Sequence, residues 1–158
     1  SLLLALALFG CTDPEKPKAL LGTGSWMWED LPKDNAIPVI QGPQGGFHLL
    51  GSVRTKGVEA GDHSNLDEPQ NPTTTFEVIV DGVNYTPHSS FVQGLRPGPE
   101  DAKPYTHEMV GRFAILDIEA DDELDGVEIE FVVTVEDANG VVVSDRANLT
   151  AYPYELNQ

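Results

Sequence analysis

The chain concentrates its carboxylates in one segment. Residues 117–137 contain ten Asp and Glu residues and no Lys or Arg. Four of these acids stand close together in one loop-like stretch: Asp121, Asp122, Glu123 and Asp125. Calcium binds roughly six to eight oxygen ligands at about 2.4 Å, so a loop that supplies several carboxylates is chemically suited to it. We therefore take these four residues as candidate metal ligands and Ca²⁺ as the possible cofactor.

This segment does not qualify as an EF-hand, although its acids match the ligand spacing of that loop over residues 117–128. Asp122 occupies the position at which an EF-hand needs glycine, and strand-like segments flank the loop instead of helices. The alternative is that these acidic residues form a charged loop that is exposed to solvent. Glu128 and Glu130 alternate with apolar residues, which places them on the outer face of a strand. The segment is therefore either a calcium site or a charged, solvated loop.

The whole chain is strongly acidic, with 9 Lys and Arg against 26 Asp and Glu and a net charge of -17 at pH 7. Phosphate backbones would repel such a surface, so the sequence argues against nucleic acid as a partner. The shortage of cations also argues against polybasic attachment to anionic lipid. With 158 residues, of which 40% are hydrophobic, the chain is suited to a single folded domain.

No catalytic motif is recognisable. Residues 107–111 (HEMVG) begin like a zinc-protease helix, but Gly111 stands where the second histidine ligand is needed. Residues 42–46 (GPQGG) lack the Lys and Ser/Thr of a phosphate-binding loop. A glycosidase needs two carboxyl groups held across a cleft, and the sequence does not indicate which two of its Asp and Glu residues could form such a pair. The four histidines are not spaced for joint metal binding. They are His48, His63, His88 and His107. We therefore expect a protein that is not an enzyme.

Apolar residues recur at every second position through much of the chain, which is the period of a half-buried β-strand. The clearest case is residues 127–136. The residues on one face of it are Val127, Ile129, Phe131, Val133 and Val135. Asn139 and Gly140 then suit a tight turn, and residues 141–151 return with the same period. This pattern predicts a long antiparallel hairpin.

Shorter segments predict further strands. Residues 47–53 and 76–80 alternate in the same way, and in residues 37–40 Pro38 predicts an edge position. Trp26 and Trp28 share one face of a possible first strand. Residues 113–118 are apolar at both parities, which predicts a strand buried on both sides or one with a bulge.

Together these segments predict an all-β protein with an antiparallel β-sandwich. Its closing hairpin is similar to that of immunoglobulin-like domains in bacterial envelope proteins, so we expect immunoglobulin-like architecture. A jelly roll is the structural alternative.

Residues 1–10 (SLLLALALFG) form an uncharged, mostly apolar run. As a helix this run would be about 15 Å long, half of the roughly 30 Å hydrocarbon core of a bilayer. It has instead the length of the hydrophobic region of a signal peptide. The sequence Leu8-Phe9-Gly10-Cys11 resembles the lipobox of bacterial lipoproteins, with an aliphatic residue three positions before the cysteine and a small residue just before it. Phe9 stands where a small residue is more usual.

The lipobox resemblance implies that Cys11, the only cysteine, becomes the acylated first residue of the mature protein. Its acyl chains would hold the protein on a membrane. The implied organisation is a signal-peptide remnant over residues 1–10, a lipidated cysteine and tether over 11–21, and a single β-sandwich domain over 22–158. Thr12 follows the cysteine, whereas Asp there favours inner-membrane retention in enterobacterial lipoproteins, so we expect the outer membrane.

Residues 42–48 (GPQGGFH), with Val53 and Arg54, also resemble a pattern found in envelope lipoproteins of myxobacteria. The resemblance implies a bacterial cell envelope but no activity. We therefore expect a non-enzymatic, lipid-anchored envelope protein that acts as an interaction or structural module. Its expected partners are the membrane and an envelope protein or glycan. The alternative is a sandwich that binds calcium or carbohydrate through residues 117–128.

Overall fold

A computed structural model describes residues 16–157 of the chain. This part is all-β, as the alternating pattern predicts. Its strands are β1 (Lys18–Gly22), β2 (Ala36–Gln41), β3 (Phe47–Lys56), β4 (Thr73–Val80), β5 (Val83–Asn84), β6 (Ser90–Val92), β7 (Arg96–Pro97), β8 (His107–Leu116), β9 (Glu128–Glu136) and β10 (Val142–Pro153). Two short 3-10 helices, Glu100–Ala102 and Asp121–Leu124, lie before and after β8.

The strands form two layers that share β2. The first sheet contains β1, β3, β8 and β7, and the second contains β4 with β5 and β6, followed by β9 and β10. Residues 36–39 of β2 pair in parallel with β10, whereas Ile40 and Gln41 pair with the start of β3. Pro38 therefore lies on the edge of the second sheet, as predicted, since it lacks the N–H that an inner strand needs.

The predicted hairpin is confirmed. β9 and β10 pair from Glu136 opposite Val142 to Glu128 opposite Thr150. Its alternating apolar residues point into the space between the two sheets. The fully buried side chains of β9 and its neighbour β4 there are Ile129, Phe131, Val133, Val135, Phe76 and Val78. Burial of these side chains in a close-packed interior is the main source of stability in such a layer.

The two sheets approach each other closely where Phe76 of β4 lies against Gly51 of β3. A Cβ on residue 51 would lie 2.6 Å from the Phe76 ring, so only glycine permits this approach. The Phe76 ring also packs against Phe131, with ring centroids 6.0 Å apart, and against Phe91 at 6.3 Å. The contact with Gly51 joins the first sheet to the second, whereas Phe131 and Phe91 lie on the same sheet as Phe76 and flank its ring.

The first strand lies earlier in the chain than the sequence predicts. Trp26 and Trp28 lie in the loop after β1, and the first strand is Lys18–Gly22, with Ala19 and Leu21 buried. Residues 18–21 of the segment assigned to a tether therefore belong to β1, and residues 11–15 lie outside the described part of the chain. The sequence analysis missed β1 because a run of five residues shows too little alternation. The Trp28 ring lies over Gly22 and beneath Arg54, whose guanidinium is 4.5 Å from the ring centre.

The predicted burial of residues 113–118 on both sides is also wrong. Ala114 and Leu116 are buried, but Phe113 is 45% exposed and Ile115 is 51% exposed. No described element covers the outer face of the first sheet at these two positions. The β-bulge considered as the alternative lies further along the strand pair, where the register of β3 and β8 shifts between Gly51 and Val53.

Asp137 ties the turn of the long hairpin to the end of β3. Its carboxylate accepts hydrogen bonds from the N–H of Glu59 at 2.7 Å and from the N–H groups of Asn139 and Val141, both at 2.9 Å. Burial by itself raises the pKa of this carboxyl group, but the three N–H donors together hold the pKa of Asp137 below its usual value. The turn therefore depends on the ionised form.

We expect Asp137→Asn to lower the free energy of unfolding at neutral pH by about 2 kcal/mol, because one amide oxygen cannot replace a carboxylate with three donors. The folded-state pKa is depressed, so this stabilisation is complete above the unfolded pKa of about 3.9 and is lost as the pH falls through the folded value. Urea unfolding at neutral pH and near the folded pKa measures the free energy of unfolding of wild type and variant, and the difference between the two should shrink in acid.

Asp117→Asn, at an exposed site, is the control. Equal losses in both variants at neutral pH would contradict the role of Asp137.

Candidate functional site

An apolar surface lies on the outer face of the first sheet, at the end where β2 turns into β3. We call it the β3–β8 patch. It surrounds an open cavity of about 550 Å³. The residues that line the cavity are Gly42, Pro43, Gln44, Gly46, Phe47, His48, Phe113 and Ile115. None of these residues is an acid, a lysine or an arginine, although the chain as a whole carries a charge of -17.

Strand register brings the patch together. His48 lies opposite Ile115, and Leu50 lies opposite Phe113, so their side chains point to the same outer face. The His48 and Phe113 rings are stacked, with centroids 4.0 Å apart and an interplanar angle of 23°. His48 is buried by this contact, and burial lowers the pKa of its imidazole, so the ring is neutral at neutral pH.

The loop before β3 closes one side of the cavity. The N–H of Gly42 donates to the carbonyl of Gly46 at 2.7 Å, and the N–H of Gly45 donates to the carbonyl of Gly42 at 3.0 Å. Gly45 has a φ of 88°, a value that favours glycine. These hydrogen bonds form a tight turn that holds Pro43 and Gln44 beside the exposed ring of Phe113. These bonds give the glycines of the GPQGG sequence a role in the turn.

The patch offers apolar contact area and one imidazole. Exposed, contiguous apolar surface on a soluble domain is typical of a site that another molecule covers. His48 is the only titratable side chain in the lining, and its exposed neighbours Phe113 and Ile115 supply no nucleophile or acid. The chemistry that this surface offers is burial of apolar area, with Gln44 as a polar group at the rim.

The four predicted calcium ligands lie in or next to the 3-10 helix Asp121–Leu124, but they are not gathered around one point. The Glu123 carboxylate turns back and accepts hydrogen bonds from the N–H groups of Glu119 at 2.6 Å and Ala120 at 2.8 Å. It therefore caps the first turn of this helix. Asp122 and Asp125 are exposed.

The Asp121 carboxylate is held by Asn157, which lies 36 positions later in the sequence. Its Oδ2 accepts a hydrogen bond from Nδ2 of Asn157 at 2.7 Å. The same amide donates to the carbonyl of Val39, and its oxygen accepts the N–H of Gln41 at 2.7 Å. The acidic loop is thus fixed against β2 by Asn157. Sequence reasoning missed this residue because nothing in the local sequence indicates a contact 36 positions away.

Within residues 16–157, no three side chains among His, Cys, Asp and Glu are grouped so that they could hold a metal ion. His63 and His88 lie at separate surface pockets, and His107 lies beside Thr106 at 3.0 Å. Cys11 and the lipobox-like residues fall outside the described part of the chain, so lipidation stays a prediction. In the described part there is also no helix of the length and apolarity that a membrane span needs.

The sequence analysis also missed Phe113 and Ile115 as surface residues. The sequence of residues 113–118 is apolar at both odd and even positions. Such a run is found in a strand that is buried on both faces or in one that exposes an apolar face. Only the positions of the other elements distinguish these two outcomes.

We expect the melting temperature of the purified protein to be equal in EDTA, Ca²⁺ and Mg²⁺ at matched ionic strength, because Asp121 and Glu123 are already bound to protein donors. An ion at 100 times its dissociation constant would instead stabilise the fold by about 2.7 kcal/mol, which is several degrees. Asp122→Asn/Asp125→Asn is the control variant. A rise with Ca²⁺ alone that this double variant abolishes would establish the loop as a calcium site.

Comparisons were made with protein-family models, curated proteins and solved structures. No family model matches the chain, and no curated protein or solved structure matches it significantly.

Proposed function

We propose that this protein is a non-enzymatic interaction module of the bacterial cell envelope, held on the outer membrane by a lipid on Cys11. In this proposal the β3–β8 patch binds an apolar surface of an envelope protein. The observation that carries the proposal is the uncharged, apolar lining of the patch in a chain of charge -17. A contiguous apolar surface of this kind is typical of a site that a partner covers.

The direction of the strands supports this arrangement. β1 begins with Lys18 opposite Lys56, at the end of β3, whereas the patch lies at the start of β3 around Phe47. A strand of ten residues spans about 30 Å, so the patch lies at the far end of the domain from the point at which the chain enters. A lipid on Cys11 would thus anchor one end and present the other to a partner.

The immunoglobulin-like architecture belongs to the same proposal. In support, the chain divides into a β3–β8–β7 layer and a β4–β9–β10 layer, and β2 passes from one to the other. Such sandwiches display binding surfaces on a rigid framework, with loops gathered at their two ends.

A protein partner is favoured over a glycan. Sugar sites combine a flat exposed ring with several polar groups. Here the apolar Ile115 lies beside Phe113, and Gln44 and His48 are the two polar side chains of the lining. Burial of this surface against an apolar protein face yields more free energy than its contact with a hydroxylated sugar.

We expect Cys11→Ser to move the protein from the membrane fraction to the soluble fraction, because the serine hydroxyl cannot take the lipid. Fractionation of cells grown with a labelled fatty acid measures both location and acylation. The purified variant should melt at the wild-type temperature, since residue 11 precedes the first strand of the fold. Unchanged membrane retention without any lipid label would contradict the anchor.

We expect a photo-reactive amino acid in place of Ile115 to form one discrete crosslink to an envelope protein in cells. Val142 is the matched control, because it is 57% exposed and apolar but lies at the start of β10. With the photo-reactive amino acid moved to the exposed position of Phe113, Ile115→Ser should weaken the crosslink. The same band from both positions, or crosslinking to glycan alone, would contradict a protein partner at the patch.

A further inference from the structure

A second, smaller pocket lies between β7 and β8 and shares no lining residue with the patch. Its volume is about 170 Å³. The residues that line it are His63, Gln93, Gly94, Arg96, Glu108, Met109, Val110 and Arg112. Two of the nine Lys and Arg residues of this acidic chain therefore face one small cavity.

Glu108 is the one carboxylate in the lining, and two arginines already occupy it. Its Oε2 accepts Nε of Arg54 at 3.1 Å, and its Oε1 accepts Nε and Nη2 of Arg96 at 3.0 and 2.8 Å. Glu108 is buried, and the Trp28 ring covers Arg54 from the other side. Glu108 is thus paired with Arg54 and Arg96 and makes no hydrogen bond to Arg112 among the described residues, so one carboxylate faces three arginines in this region.

Arg112 has no acidic partner among residues 16–157. One of its Nη2 hydrogens is donated to Oε1 of Gln93, and the Phe91 ring lies 5.8 Å from its guanidinium carbon. Its Nε is buried and has no acceptor. Burial lowers the pKa of this guanidinium from its ordinary value, but arginine keeps its charge at neutral pH. A partly buried cation without an anion costs free energy, which a bound anion would recover.

We propose that this pocket binds a tetrahedral oxyanion, namely a phosphate or sulfate group, with Arg112 as the principal ligand. Arg96 and His63 stand at the rim of the same pocket and provide further donors from a second strand and a loop. Donors that approach from several directions suit a tetrahedral anion, whereas a planar carboxylate is satisfied by one guanidinium fork. Asp62, the neighbour of His63, does not line the pocket, and its carboxylate accepts the N–H and hydroxyl of Ser64.

The test is a thermal melt of the purified protein in phosphate, sulfate, acetate and chloride at equal ionic strength. We expect phosphate or sulfate to raise the melting temperature by at least about 3 °C over chloride, and acetate to raise it less. In Arg112→Met the rise should be lost. Arg146→Met is the matched control, because Arg146 is an exposed arginine on the other sheet that pairs with Glu130 at 3.2 Å. It should keep the full rise.

Titration calorimetry with inorganic phosphate, well below the melting temperature, separates loss of binding from loss of folding. Wild type and Arg146→Met should release heat at one site, and folded Arg112→Met should not. No difference between phosphate, sulfate and chloride in wild type would overturn the proposal. An equal response of wild type and Arg112→Met would also overturn it, since the anion would then bind elsewhere.

Discussion

The close approach of the two sheets at Gly51 and Phe76 is the contact on which the rest of the structure depends. A side chain at residue 51 would collide with the Phe76 ring, so the sheets reach this separation only with glycine there. The Phe76 ring packs between Phe131 and Phe91. The inward faces of both sheets are buried in the core. Binding is left to the outward faces and loops, where the chain offers two uncommon surfaces. One is the uncharged patch around Phe113, and the other is the arginine pocket beside Glu108.

Much of the fold could be predicted from the sequence, because period-two alternation reports directly which residues face a core. The β9–β10 hairpin and the alternating burial of β4 follow from that rule, and the edge position of Pro38 follows from its missing N–H. In β3 the rule fails, because His48 and Ser52 are buried although they alternate with core residues. The rule also fails where a strand is short or lies beside aromatic residues in a loop. Lys18–Gly22 is such a strand, and the tryptophans after it were assigned instead.

The candidate sites could be predicted only in part, because they depend on contacts between distant segments. The acidic loop is visible in the sequence, but the direction of its carboxylates is decided by Asn157 and by backbone N–H groups. Residues 113–118 are visibly apolar, yet their exposure depends on the absence of a covering element. The arginine pocket has no local pattern at all, since Arg96 and Arg112 meet only through the pairing of β7 with β8.

Hydroxyl-radical footprinting of the protein in intact cells and after purification tests the central claim most directly, because it measures the exposure of each aromatic ring in both states. Phe76 should be protected in both states and Trp26, which is 90% exposed, should react in both. If the β3–β8 patch binds an envelope partner, Phe113 reacts in the purified protein and is protected in cells. Equal reactivity of Phe113 in cells and after purification would contradict the account.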